Sequence, residues 1–460
     1  MMQLAQVAAA VNGELSGVNI MVEGVSIDSR RDCAERLFVA LDGERFDAHD
    51  FIGQAQANGA TAALVEKPVD IRLPMVRVDD SHQALQDLAA WWRAQFALPV
   101  VAITGSVGKT SVKEMVGCIF AEIGRGLVTQ GNLNNEIGLP LTILRLSRDD
   151  TYAVVEMGMN HAGEISRLTH IAQPTVALVN NASAAHLEGL GSIAAVAKAK
   201  GEIFEGLSAD GVAVINADDK YAPLWRQMNT GREVVSFGLT ESADVSATYQ
   251  LSGHDLVMQV KTNKESFNIE LPLVGKHNVM NILAAIAVAQ AANIASDAIV
   301  AGLTNYRPVA GRFNVSVIGD ITLIDDTYNA NPASMRAAIE ALAQFSDTTL
   351  ILGDMAELGE ASEREHLRLG ELASENDINR LYAVGQYAAQ IVDRFAGASR
   401  VFKEQAELLT FLSTNPPNSG AVLIKGSRST QMEIVVEHLL KTYSAQGAES
   451  LPRDAQQGRV

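Results

Sequence analysis

Residues 100–116, VVAITGSVGKTSVKEMV, join an apolar strand, a glycine-bearing turn and the start of a helix. Gly105 and Gly108 allow backbone N–H groups to approach phosphate oxygens because no Cβ stands in the way. Lys109 adds a full charge to the partial positive charge of the helix N-terminus, and the Thr110 hydroxyl suits Mg²⁺. The alternative is a strand–turn–helix corner with a solvated lysine. The flanking elements favour a nucleoside-triphosphate site, although an isoleucine replaces the first glycine of the common G-x-x-x-x-G-K-[ST] pattern.

Strands and helices alternate around this loop, over a predicted central domain of residues 81–307. Three further runs, TYAVVEM (151–157), TVALVNN (175–181) and VAVIN (212–216), are continuously apolar, which is typical of parallel strands covered on both faces. Residues 246–271 alternate between polar and apolar, so they predict antiparallel strands added to this core. The first helix of the domain follows Ser81, which we expect to be its N-cap.

The chain on either side predicts two further α/β domains. Residues 1–80 contain the strand candidates LFVAL (37–41) and AALVE (62–66), with a helical stretch between them. Within 308–445, the runs ITLIDD, TLILGDM, RLYAVG and AVLIKGS alternate with helical segments, which indicates a Rossmann-like, mostly parallel sheet. Residues 446–460 are expected to form a flexible tail. A length of 460 residues agrees with about three domains.

Composition excludes several classes of protein. The 36 basic and 54 acidic residues give a formal net charge of −18, which disfavours a nucleic-acid or anionic-membrane partner. We find no apolar run long enough for a transmembrane helix and no secretory signal at the N-terminus. The two cysteines, Cys33 and Cys118, exclude a disulfide scaffold and a multi-cysteine metal site. A cytoplasmic protein is the simplest expectation.

Polar side chains near the ends of two apolar strands are candidates for the chemistry. Glu156 ends AVVE, where an NTPase needs a carboxylate facing Mg²⁺, and His186 follows TVALVNN. Both lie at the sheet edge where α/β proteins bind ligands, although position alone leaves His186 equally compatible with a surface role. Lys198 and Lys200 follow on a predicted helix, and position alone indicates two solvated lysines. A lysine turned toward Mg²⁺ would have to be neutral or converted to a carbamate.

Together these segments resemble the Mur ligases, the ATP-dependent amide-forming enzymes of peptidoglycan precursor synthesis. The resemblance covers nearly the whole chain, and the TG-x-x-GKT form of that family accounts for the missing first glycine. The matching segments are TGSVGKTS (104–111), VVEMGMNHAGEI (154–165), NASAAHLEGLGS (181–192), AKGEIF (199–204), LVGKHNVMNILAA (273–285), AGRFNV (310–315), DDTYNANPASM (325–335) and KGSRSTQME (425–433).

The third-domain segments are similar to those of the members that join D-alanyl-D-alanine to a UDP-N-acetylmuramoyl tripeptide. In the first domain, VSIDSRR (25–31) and FVALDGERFDAHDF (38–51) resemble a uridine-diphosphate-binding part. The resemblance implies that ATP phosphorylates the tripeptide carboxylate and that the dipeptide amine attacks the resulting acyl phosphate. The alternatives are a tripeptide-forming or folylpolyglutamate-type ligase, a P-loop switch or motor ATPase acting on a protein, and a UDP-sugar-binding module without chemistry.

The resemblance also implies roles for individual residues. The catalytic set is Lys109, Glu156, His186, Lys200 and Arg312. The ATP set is Gly105, Ser106, Val107, Gly108, Lys109, Thr110, Ser111, His277, Asn278, Asn281, Arg312 and Asp326. Within it, Arg312 and Asp326 would reach ATP when the domains close, and Asn278 alone is equally explained as a helix-cap group.

Two Mg²⁺ sites are implied, one at Thr110 and Glu156 and the other at Glu156, His186 and a carbamate on Lys200. The UDP-substrate set is Asp28, Ser29, Arg30, Asn132, Asn134 and Asn135, of which the asparagines have an Asn-rich turn as their alternative. The D-alanyl-D-alanine set is Asn329, Asn331, Lys425 and Arg428. We expect a monomer that acts on small molecules, without nucleic acid and without integral membrane association.

Overall fold

The computed structural model describes residues 1–43, 46–185, 187–240, 242–252 and 255–449. These residues form an N-terminal, a central and a C-terminal α/β region, as the strand and helix patterns predict. Within the described part of the chain, no helix is both long enough and apolar enough to cross a membrane.

The N-terminal region is a small, mostly parallel sheet with short helices. Its elements are β1 (Met2–Gln3), α1 (Leu4–Ala10), β2 (Glu14–Ser16), β3 (Met21–Val22), β4 (Val25–Ser26), β5 (Leu37–Val39), α2 (Ile52–Ala57), β6 (Ala62–Val65) and β7 (Met75–Arg77). The strand order is β2-β7-β6-β5-β4, with β2 antiparallel to β7, and β1 pairs separately with β3.

The central region is built on a parallel sheet with an antiparallel sheet beside it. Its elements are α3 (Ser81–Arg93), β8 (Val100–Thr104), α4 (Lys109–Ala121), β9 (Gly126–Val128), α5 (Gly138–Ile143), β10 (Tyr152–Glu156), α6 (Glu164–Ala172), β11 (Val176–Val179), α7 (Leu187–Leu190), α8 (Ile193–Gly201), β12 (Val212–Asn216), α9 (Ala222–Met228), β13 (Glu233–Phe237), β14 (Ser246–Ser252), β15 (Asp255–Lys261), β16 (Ser266–Leu271), α10 (Lys276–Ala291) and α11 (Ser296–Asn305). The parallel order is β13-β12-β11-β8-β10-β9, and β14-β15-β16 form the antiparallel sheet.

Both faces of the central sheet are buried, which explains its continuously apolar strands. Val101 and Ile103 of β8 face a core that includes α4 and α10. Val100 and Ala102 of the same strand face the opposite core, which continues into the N-terminal region. Consecutive residues of a strand point to opposite faces, so β8 lies between the two cores and its end is held firmly where the glycine-bearing turn begins.

The C-terminal region is a second, mostly parallel sheet with helices on both faces. Its elements are β17 (Asn314–Ile318), β18 (Ile321–Asp326), α12 (Pro332–Leu342), β19 (Thr348–Gly353), α13 (Ser362–Glu375), β20 (Arg380–Val384), α14 (Ala388–Asp393), β21 (Ala398–Phe402), α15 (Gln405–Thr414), β22 (Gly420–Lys425) and α16 (Glu433–Glu449). The order is β17-β18-β22-β19-β20-β21, with only the edge strand β17 antiparallel among the described strands.

One local prediction differs from the structure. The N-cap of α3 is Asp80, not Ser81, because the Asp80 carboxylate accepts a hydrogen bond from the backbone N–H of Gln83 at 2.9 Å. Helix α16 continues to Glu449 and so includes residues 446–449 of the predicted flexible tail, whose flexibility stays a prediction. The remainder of that tail, 450–460, lies outside the described residues, and the domain boundaries at residues 80 and 307 stay predictions.

Candidate active site

The turn between β8 and α4 is shaped to bring backbone N–H groups to an anion. Gly108 has a φ of +80° and precedes the first residue of α4. A Cβ at this position would lie 2.3 Å from Oδ1 of Asn281 and 2.7 Å from Nδ2 of Asn180. Glycine is therefore required both for the backbone conformation and for the close approach of its neighbours.

Polar groups beyond the end of β11 hold this turn in place. The backbone N–H of Val107 donates to Oδ1 of Asn181 at 3.0 Å, and Nδ2 of Asn180 donates to the Val107 carbonyl at 3.0 Å. The Ser106 hydroxyl accepts a hydrogen bond from the backbone N–H of Ser183 at 2.9 Å. Sequence reasoning missed Asn180, Asn181 and Ser183, although the two asparagines directly follow the apolar strand β11.

Lys109 folds back over the turn and donates from Nζ to the Gly105 carbonyl at 2.7 Å. Burial lowers the pKa of this ammonium, the nearby Glu156 carboxylate opposes the shift, and Arg312 adds to it. Phosphate oxygens at this position would relieve the cost of holding two half-buried cations close together. The lysine is therefore placed to bind a polyanion.

Glu156 ends β10 and is only 2 % exposed. Its Oε2 accepts a hydrogen bond from the Thr110 hydroxyl at 2.9 Å, and its Oε1 accepts one from Nδ2 of Asn134 at 2.7 Å. Among the described residues, no lysine or arginine forms an ion pair with this carboxylate. A divalent cation would supply the missing positive charge, and Mg²⁺ commonly takes one or two protein oxygens, with water and phosphate completing its shell.

The C-terminal region contributes the opposite wall. Nη2 of Arg312 donates to Oγ1 of Thr110 at 3.0 Å, while its guanidinium carbon lies 3.9 Å above the ring of Tyr328. Its Nε is buried without a hydrogen-bond partner. Nearby, the buried Nζ of Lys425 lies 2.7 Å from Oδ2 of Asp326. An arginine with an unused buried donor is suited to an incoming anion.

These groups surround one cavity of about 670 Å³ between the central and C-terminal regions. It brings together most of the predicted site residues, namely Ser106, Val107, Gly108, Lys109, Thr110, Ser111, Asn132, Asn134, Asn135, Glu156, His277, Asn278, Asn281, Arg312, Asp326, Asn329, Asn331 and Lys425. The cavity also includes Tyr328 and Glu357, which sequence reasoning did not select.

Comparisons with known proteins agree on one family. Three descriptions of its domains match this chain, "Mur ligase family, catalytic domain" at residues 21–93, "Mur ligase middle domain" at 103–289 and "Mur ligase, glutamate ligase domain" at 311–428. The UDP-N-acetylmuramoyl-tripeptide--D-alanyl-D-alanine ligase of Escherichia coli (strain K12) is 45% identical over 442 residues, which cover 95% of this chain and 98% of that protein. This chain belongs to the Mur ligase family.

Solved structures of Mur ligases have the same architecture. A crystal structure of MurF from Acinetobacter baumannii superposes with a TM-score of 0.90 at 38% identity, covering 95% of this chain and 98% of that one. MurF ligase from Thermotoga maritima, solved in complex with ADP, gives a TM-score of 0.83 at 29% identity, covering 93% and 99%.

In this Mur ligase, the start of α10 forms the part of the cavity predicted to bind adenine. The ring of His277 packs edge-on against Phe313 with 4.9 Å between centroids, and burial lowers the pKa of the imidazole to about 4. Asn281 accepts a hydrogen bond from Nδ2 of Asn180 at 3.3 Å. The amide of Asn278 donates to the Val274 carbonyl at 2.8 Å and the residue lines the cavity, whereas the N-cap of α10 is Gly275, with no side-chain capping bond.

Lys200 is buried in α8 but is not among the residues that line the cavity. Burial lowers the pKa of its amine well below the usual value, and the neighbouring Lys109 lowers it further. Lys198, two residues earlier, is exposed. The prediction of two solvated lysines from position alone is therefore wrong for Lys200. The other partner of the predicted second metal site, His186, lies outside the described residues.

The residues predicted to bind the two substrates differ in how directly they face the cavity. Oδ1 of Asn135 accepts a hydrogen bond at 2.8 Å from the backbone N–H of Gly138, the first residue of α5, and the residue also lines the cavity. Asn331 is the N-cap of α12. The Arg428 side chain extends to Glu433 at 2.9 Å and does not line the cavity.

Asp28, Ser29 and Arg30, the first-domain part of the predicted UDP-substrate set, do not line this cavity. The guanidinium of Arg30 donates to the Asp28 carboxylate at 2.8 and 3.0 Å and lowers its pKa to about 2. Ser29 is buried and donates to Oε1 of Gln54 at 3.1 Å. These three residues belong to the N-terminal region and not to the cavity between the other two regions.

Proposed function

We propose that this protein is an ATP-dependent ligase that joins D-alanyl-D-alanine to UDP-N-acetylmuramoyl tripeptide, the final cytoplasmic step of peptidoglycan precursor synthesis. The observation that carries the proposal is the single cavity in which Lys109 and Thr110 of the phosphate loop face Arg312. The full-length similarity to UDP-N-acetylmuramoyl-tripeptide--D-alanyl-D-alanine ligases supports the choice of substrates.

The reaction has two steps that place negative charge in the same region. The terminal carboxylate of the tripeptide attacks the γ-phosphorus of ATP, the β–γ bridge breaks, and ADP leaves. The amine of the dipeptide then attacks the acyl carbon and loses a proton, and phosphate departs as the amide forms. Lys109 and Arg312 stabilise the developing charge from opposite walls, which is the main protein contribution to phosphoryl transfer.

We place one Mg²⁺ at Thr110 and Glu156, whose hydroxyl and carboxylate face each other at 2.9 Å. The buried Glu156 carboxylate fits a divalent cation, which when bound would neutralise phosphate charge. Asn134 holds the second oxygen of that carboxylate and so orients it. Among the described residues, no group of three or more metal-ligating His, Cys, Asp or Glu side chains occurs, so phosphate and water would complete the shell.

We further propose a second Mg²⁺ site that uses Glu156, His186 and a carbamate on Lys200. Carbamylation requires a neutral amine, and burial with the neighbouring Lys109 favours that form of Lys200. Burial disfavours the positively charged form of Lys200, and the carbamate would carry a negative charge in its place. We also propose that the enzyme acts as a cytoplasmic monomer.

For the remaining substrate contacts, we retain the predicted groups. Asp28, Ser29 and Arg30 of the N-terminal region, with the asparagine turn at 132–135, are proposed to bind the UDP-muramoyl part. The dipeptide is proposed to lie near Asn329, Asn331, Lys425 and Arg428. Of the dipeptide set, Lys425 has its ammonium paired with Asp326, so it acts mainly by fixing that carboxylate.

The deciding experiment is mass spectrometry of products formed from UDP-muramoyl tripeptide, D-alanyl-D-alanine, ATP and Mg²⁺. We expect the pentapeptide, ADP and phosphate, with ADP release dependent on the tripeptide. The Lys109→Ala variant should remain folded and release no ADP. Nucleotide cleavage that ignores the tripeptide would contradict the proposal, and product formed with free amino acids or folate would favour a sister ligase.

A further inference from the structure

One wall of the cavity is formed by a segment to which the reaction described above assigns no role. Residues 354–358 follow β19, and three of them, Ala356, Glu357 and Leu358, line the cavity. Glu357 faces the phosphate loop closely enough for its carboxylate to raise the pKa of Lys109. The segment therefore carries a charged group from the C-terminal region to the reacting part of the site.

The start of the segment is fixed to its own sheet by Asp354. The Asp354 carboxylate accepts hydrogen bonds from the backbone N–H groups of Gln386 at 2.7 Å and Tyr387 at 3.0 Å. The Asp354 carbonyl accepts another from the backbone N–H of Ser427 at 2.9 Å. These bonds tie the first residue of the segment to the ends of β20 and β22.

The next residue is held by a buried histidine of α13. Nε2 of His366 accepts a hydrogen bond from the backbone N–H of Met355 at 2.9 Å, and its Nδ1 donates to the Ser362 carbonyl at 2.6 Å. The imidazole is fully buried and stacks on Tyr387 with 4.3 Å between centroids. This pair of hydrogen bonds assigns a neutral ring with its proton on Nδ1.

The backbone at Glu357 is in a conformation that needs such support. Its φ is +61°, in the left-handed region that a residue with a side chain adopts at a cost. Such a conformation persists when neighbouring contacts determine the path of the chain. The bonds at Asp354 and Met355 lie immediately before it, so they set the direction from which the Glu357 carboxylate enters the cavity.

We infer that His366 is a positioning residue of the ligase reaction, which holds the Met355 N–H so that Glu357 stays fixed opposite Lys109. The inference rests on the proposed function for the identity of the reaction. His366 acts through the segment, because it lies outside the residues that line the cavity.

The test compares His366 variants that keep or remove the side-chain atom that accepts the hydrogen bond from the Met355 N–H. His366→Gln retains an oxygen able to accept from Met355, His366→Phe retains the stacked ring but no acceptor, and His366→Asn is polar but too short to reach. We expect kcat to fall about tenfold in the Phe and Asn variants and to stay within twofold in the Gln variant, with KM for the UDP-tripeptide unchanged. His438→Gln, on α16 at the opposite face of the same sheet, is the matched control and should behave as wild type.

A double variant shows whether His366 acts through Glu357. We expect Glu357→Gln to lower kcat about tenfold, and His366→Phe combined with Glu357→Gln to be no slower than Glu357→Gln alone. Multiplicative losses, or full turnover in both His366→Phe and His366→Asn, would overturn the inference. Should the Phe variant fail to fold, the combination of His366→Asn with Glu357→Gln gives the same comparison.

Amide hydrogen exchange at Met355 separates this inference from the proposed function. The amide should be protected in wild type and His366→Gln and exchange faster in His366→Asn, whichever substrates the enzyme uses. Equal protection in all three proteins would overturn the positioning role even if the ligase reaction is observed. A wild-type protein that protects this amide but forms no pentapeptide would instead contradict the proposed function.

Discussion

Nη2 of Arg312 donates to Oγ1 of Thr110 at 3.0 Å, and the same hydroxyl donates to Oε2 of Glu156 at 2.9 Å. Arg312 precedes the C-terminal sheet, whereas Thr110 and Glu156 belong to the central region. One threonine thus joins a guanidinium and a carboxylate from two regions of the protein. A phosphate entering beside Lys109 would be contacted from both regions at once.

Replacing Arg312 with alanine should slow acyl-phosphate formation by about a hundredfold, because a pre-positioned donor for the developing phosphate charge is lost. Rapid-quench measurement of ADP formation tests this expectation. Binding of the UDP-tripeptide, measured by calorimetry, should remain near the wild-type value. The control is Arg307→Ala, since the exposed Arg307 donates to the backbone carbonyls of Thr304 and Tyr306. A large loss of UDP-tripeptide affinity would place Arg312 in the other substrate site.

The Gly108→Ala variant should lose nucleotide binding almost completely. A Cβ at residue 108 would lie 2.3 Å from Oδ1 of Asn281, so the turn between β8 and α4 must move. Gly231→Ala is the matched control, because Gly231 also has a positive φ but has no atom within 4 Å of an added Cβ. Both variants should lose about 1–2 kcal/mol of unfolding free energy from the left-handed backbone. Equal ADP affinity in the two variants would contradict the steric argument.

Much of the fold could be predicted because the strands around the loop are buried on both faces. VVAIT, AVVE and VALV are continuously apolar, and each became a strand of the central parallel sheet. The capping of α3 was predicted less well, because Asp80 and Ser81 are both good N-cap residues and the sequence does not say which backbone N–H they reach.

Site residues that belong to one local motif were predicted well. Contacts between residues far apart in the sequence were predicted less well, because they depend on tertiary packing. Lys109 and Thr110 follow from the glycine-bearing turn alone. The contact between Arg312 and Thr110 joins residues 202 positions apart and depends on how two sheets pack. Glu357 was not selected because its place at the cavity depends on tertiary contacts, including those of Asp354 and His366, that the sequence does not show.

Lys200→Ala should be inactive and partly recovered by formate. A small carboxylate would replace the proposed carbamate oxygens in the space left by the buried side chain. Lys198→Ala is the matched control on the same helix, and it should retain wild-type activity with no response to formate because Lys198 is exposed. The measurement is ADP release with and without formate at constant ionic strength. Full activity of Lys200→Ala without formate would refute the carbamate role.

His277 should make the free energy of unfolding depend on pH below pH 7. Burial lowers the pKa of its imidazole to about 4 from an ordinary value of 6.5, and Asp326 opposes the shift. Between these values the unfolded chain binds a proton that the folded protein does not, so the free energy of unfolding falls as pH decreases. Above pH 7 both states are neutral at this residue and the contribution is flat.

From pH 7 to pH 5, this group should cost the wild type about 2 kcal/mol of unfolding free energy. Urea unfolding at the two pH values measures the loss, and the same titration of His277→Gln isolates it, because the remaining titrating groups are common to both proteins. The variant should lose less stability over this interval than wild type. Parallel losses in wild type and His277→Gln would show that the imidazole is protonated as readily in the folded protein as in the unfolded chain.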